Sequence, residues 1–127
     1  MNGMFINCTK LKSVGNLSNW DMSNVKGITR MFEKCINLKS VGDLSKWIVS
    51  SIEDISTMFY ECKQLKSVGD LSKWNVSNVE KMTGMFYGCS NLKSVGNLSN
   101  WNVSNVKNMN RMFKDSGITN IPDWYEE

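Results

Sequence analysis

A 27-residue repeat without insertions constrains the fold of this chain more than any other feature. The repeat is marked by five phenylalanines at one constant step: Phe5, Phe32, Phe59, Phe86 and Phe113. Four tryptophans follow the same step: Trp20, Trp47, Trp74 and Trp101. So do four cysteines: Cys8, Cys35, Cys62 and Cys89. Because no unit has accepted an extra residue, we expect equivalent side chains to lie above one another in columns, as in a stacked repeat protein.

The repeat divides residues 1–127 into four units and a different C-terminal segment, which together form a single domain. The predicted bounds are 4–30, 31–57, 58–84 and 85–111, followed by a C-terminal cap over 112–127. The cap is predicted because Ser116 replaces the cysteine and Pro122 interrupts the pattern. At the other end, Met1 already fits the repeat frame. We therefore expect a piece of a longer protein, or a neighbour on that end through end-to-end self-association.

Two sequence patterns predict the local structure of a unit. Apolar and polar residues alternate over Leu65–Leu71, which predicts a short strand with a bend at Gly69. Apolar residues three or four apart predict a short helical turn around Met85–Phe86. Ser77 followed by Glu80 has the spacing of a helix capping box. The predicted fold class is α/β, with short parallel strands and short helical turns.

The composition argues against several classes of function. The chain has no histidine, which removes the commonest general base and metal ligand. We find no Cys-x-x-Cys pair, phosphate-binding loop or catalytic triad, so we predict no enzyme, catalytic residue, metal site or cofactor. A net charge of +3 is too small to argue for nucleic acid. No apolar run spans a bilayer, so a membrane link would need an anchor outside this chain.

The cysteine and tryptophan columns each have two interpretations. Stacked cysteines would lie within disulfide range, but a ladder of buried free thiols is favoured because Ser116 takes the fifth position. A tryptophan column could bind a flat ligand if it were exposed. Packing of the tryptophans on each other at the edge of the core is the favoured interpretation.

A lysine at one constant position is the strongest candidate for a binding site. These lysines are Lys12, Lys39, Lys66 and Lys93. Two such charges about 5 Å apart in water repel by roughly 0.8 kcal/mol, a cost that packing does not explain. The column could bind an anionic polymer or an acidic protein face, partly neutralised by Asp43 and Asp70. The alternative is that the lysine stems only cover apolar surface.

The motif M-F-x-x-C-x-x-L-K-S-V-G, followed by L-S-x-W-x-V-S-N-V-x-x-M, resembles a bacterial surface-protein repeat. That repeat is found in mycoplasma-type lipoproteins and in cell-wall-anchored proteins of Gram-positive bacteria. It is also similar to the BspA-type leucine-rich repeat, in which F-x-x-C-x-x-L-x-x-I plays the same part. The likeness extends from Met1 to about Ser116, and this chain has one extra residue per unit at Gly15, Gly42, Gly69 and Gly96. It implies a right-handed leucine-rich-repeat-like solenoid at the cell surface.

Two functions follow from the repeat and this resemblance. The first is a non-catalytic surface module for adhesion, which binds a protein or an anionic glycan on a host or neighbouring cell. Affinity would come from many weak, equivalent contacts along the stack. The alternative is a structural spacer or stalk segment of a larger surface lipoprotein, with no binding role of its own.

Overall fold

The structure, a computed structural model, describes residues 1–126, and in it each sequence unit forms one coil of a stack. Coils 1 to 4 are the four units, 4–30, 31–57, 58–84 and 85–111. In every coil the backbone N–H of the phenylalanine donates to the carbonyl of a methionine in the next layer. These hydrogen bonds are Phe5–Met31 at 2.8 Å, Phe32–Met58 at 2.9 Å, Phe59–Met85 at 3.0 Å and Phe86–Met112 at 2.9 Å. The hydrogen bonds thus hold the sequence repeat in register.

The predicted α/β fold class is wrong. Residues 1–126 contain no helix, and the strand-like contacts are isolated parallel bridges. One set of bridges joins Ser13, Ser40 and Ser67; the other joins Gly27, Asp54, Lys81 and Asn108. The predicted strand Leu65–Leu71 is reduced to one bridge residue, and Met85–Phe86 lies in turns. The structure therefore does not support an α/β leucine-rich-repeat solenoid, since the chain is mostly turns and loops.

Each coil is instead a succession of tight turns. In coil 3, Cys62 N–H donates to the Phe59 carbonyl at 3.0 Å, and Leu65 N–H donates to the Cys62 carbonyl at 3.2 Å. A further turn joins Trp74 N–H to the Leu71 carbonyl at 3.1 Å. The apolar residues at the turn corners point inward and are completely or almost completely buried. Consecutive turns of this kind bury every third residue, which is also the spacing that predicted a helix.

Residues with left-handed backbone conformation stop these turns from continuing as a helix. Thr57 and Glu61 have φ of 51° and 58°, and the equivalent Gly84 and Gly88 have φ of 59° and 74°. An α-helix needs φ near −60° at every residue. A left-handed residue on either side of the Met-Phe pair therefore limits the helical conformation to single turns. The predicted capping box is also absent, because Ser77 N–H bonds to the Asn75 side chain at 3.1 Å.

Short polar side chains stabilise the bend that follows each lysine. The Ser67 hydroxyl accepts a hydrogen bond from Gly69 N–H at 3.2 Å, and the Asp70 carboxylate accepts one from Ser72 N–H at 2.9 Å. Gly69 has a φ of 87°, and a Cβ there would collide with the Asp43 carboxylate of the preceding coil. The extra glycine of this repeat is therefore required both by the backbone conformation and by the close approach of the neighbouring coil.

Columns of identical side chains form the core of the stack. The phenylalanine rings stack with centroids 5.3 to 6.0 Å apart; they are parallel within 5° from Phe5 to Phe86, and Phe113 is inclined by 21°. Trp47, Trp74 and Trp101 stack at 6.3 Å, and each is at most 4% exposed. The indole N–H of Trp74 donates to the Leu44 carbonyl in the preceding coil at 2.8 Å, so the buried polar atom is satisfied. The predicted packing of these three tryptophans in the core is confirmed.

The C-terminal cap closes two of these columns. Trp124 stacks on Trp101 at 6.1 Å, and its indole N–H donates to the Leu98 carbonyl at 2.8 Å. The rings of Tyr125 and Phe113 meet at right angles, edge to face, at a centroid distance of 5.0 Å. Trp124 follows Trp101 by fewer residues than one repeat, yet it makes the same contact as the repeat tryptophans. The sequence signalled a cap here but not that a tryptophan would continue the column.

Candidate functional site

We define the lysine ladder as Lys12, Lys39, Lys66 and Lys93. In coils 1 to 3, backbone hydrogen bonds join each of these lysines to the next. Lys39 N–H donates to the Lys12 carbonyl at 3.0 Å, and Lys66 N–H donates to the Lys39 carbonyl at 3.2 Å. Neighbouring strands joined by such bonds lie about 4.8 Å apart, so these three side chains leave the stack at nearly equal steps. All four lysines are exposed. The structure thus brings three of the four predicted site residues into one register.

Lys93 departs from this regular array. Its ammonium group donates to the carbonyl of Ser90 at 3.2 Å, so its side chain turns back onto its own coil. The cap packs closely here: Gly117 N–H donates to the Cys89 carbonyl at 3.0 Å, and a Cβ on Gly117 would lie 3.0 Å from Cδ of Lys93. The ladder is therefore open and regular over coils 1 to 3 and is modified by the cap at coil 4.

The segments that carry the ladder contain no acidic residue. These segments are residues 9–14, 36–41, 63–68 and 90–95. They also hold Lys10 and Lys63, both exposed, which the sequence analysis did not include in the site. Because all four segments lack Asp and Glu, the sequence alone could have assigned Lys10 and Lys63 to the same positive surface. None of the ladder lysines forms an ion pair within residues 1–126.

Asp43 and Asp70, which we expected to neutralise the ladder, lie beside a different lysine column. The N–H of Ser45 lowers the pKa of Asp43 by hydrogen bonding, and Lys46 lowers it further by its charge. The backbone N–H of Ser72 and the charge of Lys73 act on Asp70 in the same way. These carboxylates therefore stay ionised at neutral pH next to Lys46 and Lys73, and the ladder keeps its positive charge.

A column of serine hydroxyls accompanies the ladder. These serines are Ser13, Ser40, Ser67 and Ser94, and all are exposed. Each hydroxyl oxygen accepts a hydrogen bond from the glycine N–H two residues later, at 3.1 to 3.2 Å. The hydroxyl proton is not used in that bond and can be donated to a partner. Each step of the ladder therefore offers an ammonium group and a neutral donor, which suits an acceptor such as a carboxylate.

A further charged column differs from the ladder because it contains both signs. Its members are Lys26, Glu53, Glu80 and Lys107. The Lys26 ammonium lies 3.9 Å from Glu53, and the Lys107 ammonium lies 3.0 Å from Glu80. Lys26, Glu53 and Glu80 border an open polar groove of about 690 Å³. The groove is also lined by Ser50, Ser51, Asn78 and Asn105. Charges here are compensated within the stack, in contrast to the ladder.

The cysteines are all free thiols, and those of coils 2 to 4 are buried. Each of these three donates to the phenylalanine carbonyl of the preceding coil at 3.0 Å, as Cys62 does to Phe32. Burial raises the pKa of Cys35 to about 11, and it also raises the pKa of Cys62 and Cys89. These thiols therefore act as small core side chains rather than as nucleophiles at neutral pH.

Residues 1–126 hold no group of three or more histidine, cysteine or acidic side chains that could bind a metal ion. Over the same range there is also no helix long and apolar enough to cross a membrane.

Comparison with known families identifies the repeat. A family model described as "Mycoplasma protein of unknown function, DUF285" matches residues 1–93 and, a second time, residues 38–124. The chain belongs to this family. No curated protein and no solved structure matches the chain. The predicted resemblance to a mycoplasma-type repeat is therefore confirmed, and the family description itself assigns no function.

Proposed function

We propose that this chain is a non-catalytic repeat module that binds an anionic partner along the lysine ladder, as an adhesion or partner-binding segment at a cell surface. The partner is an anionic polymer, such as an acidic glycan, or an acidic face of a protein. Binding draws on several equivalent contacts at successive coils, so that weak individual contacts add along one molecule. The surface location is supported by the resemblance to bacterial surface-protein repeats.

The observation that carries this proposal is the difference between the two charged columns. The column of Lys26, Glu53, Glu80 and Lys107 contains both signs, and each glutamate pairs with the lysine next to it. The ladder instead repeats one sign without ion pairs and without nearby acids in its segments. Side-chain packing does not demand this, because the inward neighbours Leu38 and Leu65 are already completely buried. A partner with acceptor groups would compensate the repulsion that the ladder bears.

A spacer remains the second candidate function. It is favoured by the unbroken core columns, which join all coils into one stack. Kinship with the BspA-type leucine-rich repeat is likewise a proposal, at the level of sequence only. Its support is the shared F-x-x-C-x-x-L run, as in residues 59–65.

The test uses two charge-matched double variants of the whole chain. Lys39→Glu with Lys66→Glu reverses the centre of the ladder, while Lys46→Glu with Lys73→Glu makes the same change of net charge in the same two coils. All four lysines are exposed, so both variants should keep the melting temperature of the parent. We expect the ladder variant to lose attachment to surfaces coated with acidic polymers and to cells. The control variant should keep most of it.

Equal binding by both variants and the parent would show that the ladder is not the binding site. The spacer would then be the better proposal. Equal loss in both variants would show that net charge, rather than the ladder, drives attachment. Circular dichroism and thermal melting of each variant distinguish these results from misfolding.

A further inference from the structure

We infer that the partner the ladder fits best is an acidic protein α-helix, which lies along the stack with one carboxylate per turn facing the lysines. This inference rests on the proposed function and narrows its partner to one class. It starts from the geometry of coils 1 to 3, where the backbone bonds of Lys12, Lys39 and Lys66 hold the ladder in register.

The spacing of the ladder favours a helix over other peptide conformations. Hydrogen-bonded neighbours such as the backbones of Lys12, Lys39 and Lys66 repeat at about 4.8 Å along the stack. An α-helix rises about 5.4 Å per turn, so acids at i, i+4, i+7 and i+11 form a row with nearly the same step. Over the two steps from Lys12 to Lys66 the mismatch stays within about 1.5 Å. Flexible lysine side chains can absorb such a difference.

Extended peptides fit the ladder less well. Side chains on one face of a β-strand repeat at about 6.6 to 6.8 Å, so the mismatch reaches about 4 Å over the same two steps, nearly one full ladder step. A polyproline II peptide presents one face every third residue, about 9.3 Å apart. Such a peptide would meet Lys12 and Lys66 but leave Lys39 without an acid. Only the helical row gives each lysine its own carboxylate.

The chemistry of the ladder also suits carboxylates on a helix. Each step supplies an ammonium group and a serine hydroxyl, both of which can donate. A glutamate carboxylate accepts at both oxygens and can bind the two donors together. Lys10 and Lys63 extend the positive face beside the row. A helix of about four turns, with its acidic stripe facing the stack, would therefore cover the ladder from coil 1 to the cap.

The experiment measures binding of the whole chain to four fluorescent probes of equal charge by titration at low and physiological salt. The first is a capped alanine-based helical peptide with glutamates at i, i+4, i+7 and i+11. The second has the same composition with its glutamates distributed around the helix. The third is a short, non-helical glutamate-rich peptide that contains proline, and the fourth is a short polyuronate chain. Each is titrated against the parent, Lys39→Glu/Lys66→Glu and Lys46→Glu/Lys73→Glu.

We expect the striped helix to bind the parent at least about tenfold more tightly than the other three probes. We also expect this preference to vanish in Lys39→Glu/Lys66→Glu and to persist in Lys46→Glu/Lys73→Glu. Lys39→Gln/Lys66→Gln should weaken binding by a smaller factor, because it removes the attraction without adding repulsion.

Equal binding of all four probes, still lost in the ladder variant, would overturn the helix inference and leave the proposed function standing. Preferential binding of the polyuronate would overturn it in the same way and would assign the ladder to an acidic glycan. No binding of any probe, or binding that does not depend on Lys39 and Lys66, would overturn both proposals.

Discussion

At the C-terminal end of the stack, Trp124 covers Trp101 and Tyr125 covers Phe113, so Phe113 is only 7% exposed. At the N-terminal end, Phe5 and Trp20 have a neighbouring coil on one side and remain half-buried. The same residue types in the same columns thus have different environments. A unit of this repeat is therefore not self-sufficient, because each column residue is buried by the coils on both sides of it.

We expect the largest loss of stability when one phenylalanine is removed from the centre of its column. Phe59 is completely buried and stacks on two rings, Phe32 and Phe86. We expect Phe59→Ala to lower the free energy of unfolding by about 3–5 kcal/mol, measured by urea denaturation. Phe5→Ala should cost less than half as much, because Phe5 stacks on Phe32 alone. Equal losses would mean that burial by two neighbours does not govern stability.

The cap supplies the next test. Trp124→Ala removes both the ring that stacks on Trp101 and the indole donor to the Leu98 carbonyl. We expect a loss of about 2–3 kcal/mol in thermal or urea unfolding. Trp124→Phe keeps a ring without the N–H and should recover part of the loss. If Trp20→Ala at the N-terminal end were as destabilising as Trp124→Ala, the stabilising role of the cap would be contradicted.

Alkaline pH tests the buried part of the cysteine column. The folded-state pKa of Cys35 is raised to about 11 from an ordinary value of 9.0, mainly by burial. The stability that this burial provides is fully present below pH 9 and is lost as the pH rises through 11. The free energy of unfolding should fall by at most about 1.4 kcal/mol per pH unit for such a thiol. Cys35→Ser should flatten this slope, and an unchanged slope would contradict the burial argument.

Thiol labelling gives the smallest but most direct test of the open end. Cys8 is half-buried in coil 1, while Cys35, Cys62 and Cys89 are buried. At neutral pH we expect one thiol of the folded protein to react quickly with a soluble disulfide reagent and three to react only as fast as the chain opens. The denatured, unreduced protein should yield four reactive thiols. Fewer than four would reveal disulfides in place of the free-thiol ladder.

The columns could be predicted from the sequence, because a constant step without insertions leaves stacked coils as the simplest arrangement. The constant positions Phe59, Cys62 and Leu65 are completely buried, as their invariance between units indicated. The lysine ladder followed from the same reasoning. Its regular part, from Lys12 to Lys66, lies where the register places it.

The local structure could not be predicted, for an identifiable physical reason. A helix and a chain of tight turns both bury residues three or four positions apart. The spacing of Met82, Met85 and Phe86 is therefore compatible with both structures. The deciding feature is the left-handed conformation at Thr57 and Glu61, residue types that give no signal of it. The equivalent residues one repeat later, Gly84 and Gly88, do carry the usual sequence signal for this conformation. The contact between Lys93 and the cap depends on non-repeating residues, which no periodicity describes.

The hydrogen bonds between coils run in both directions, so they do not distinguish the two ends of the stack, whereas the cap does. Phe59 N–H reaches forward to the Met85 carbonyl, and Lys66 N–H reaches back to the Lys39 carbonyl. The face that a second copy would need for head-to-tail growth is already filled by Trp124 and Tyr125. Covering the ends of these two columns reduces the apolar area on which another copy of the repeat could stack at this end.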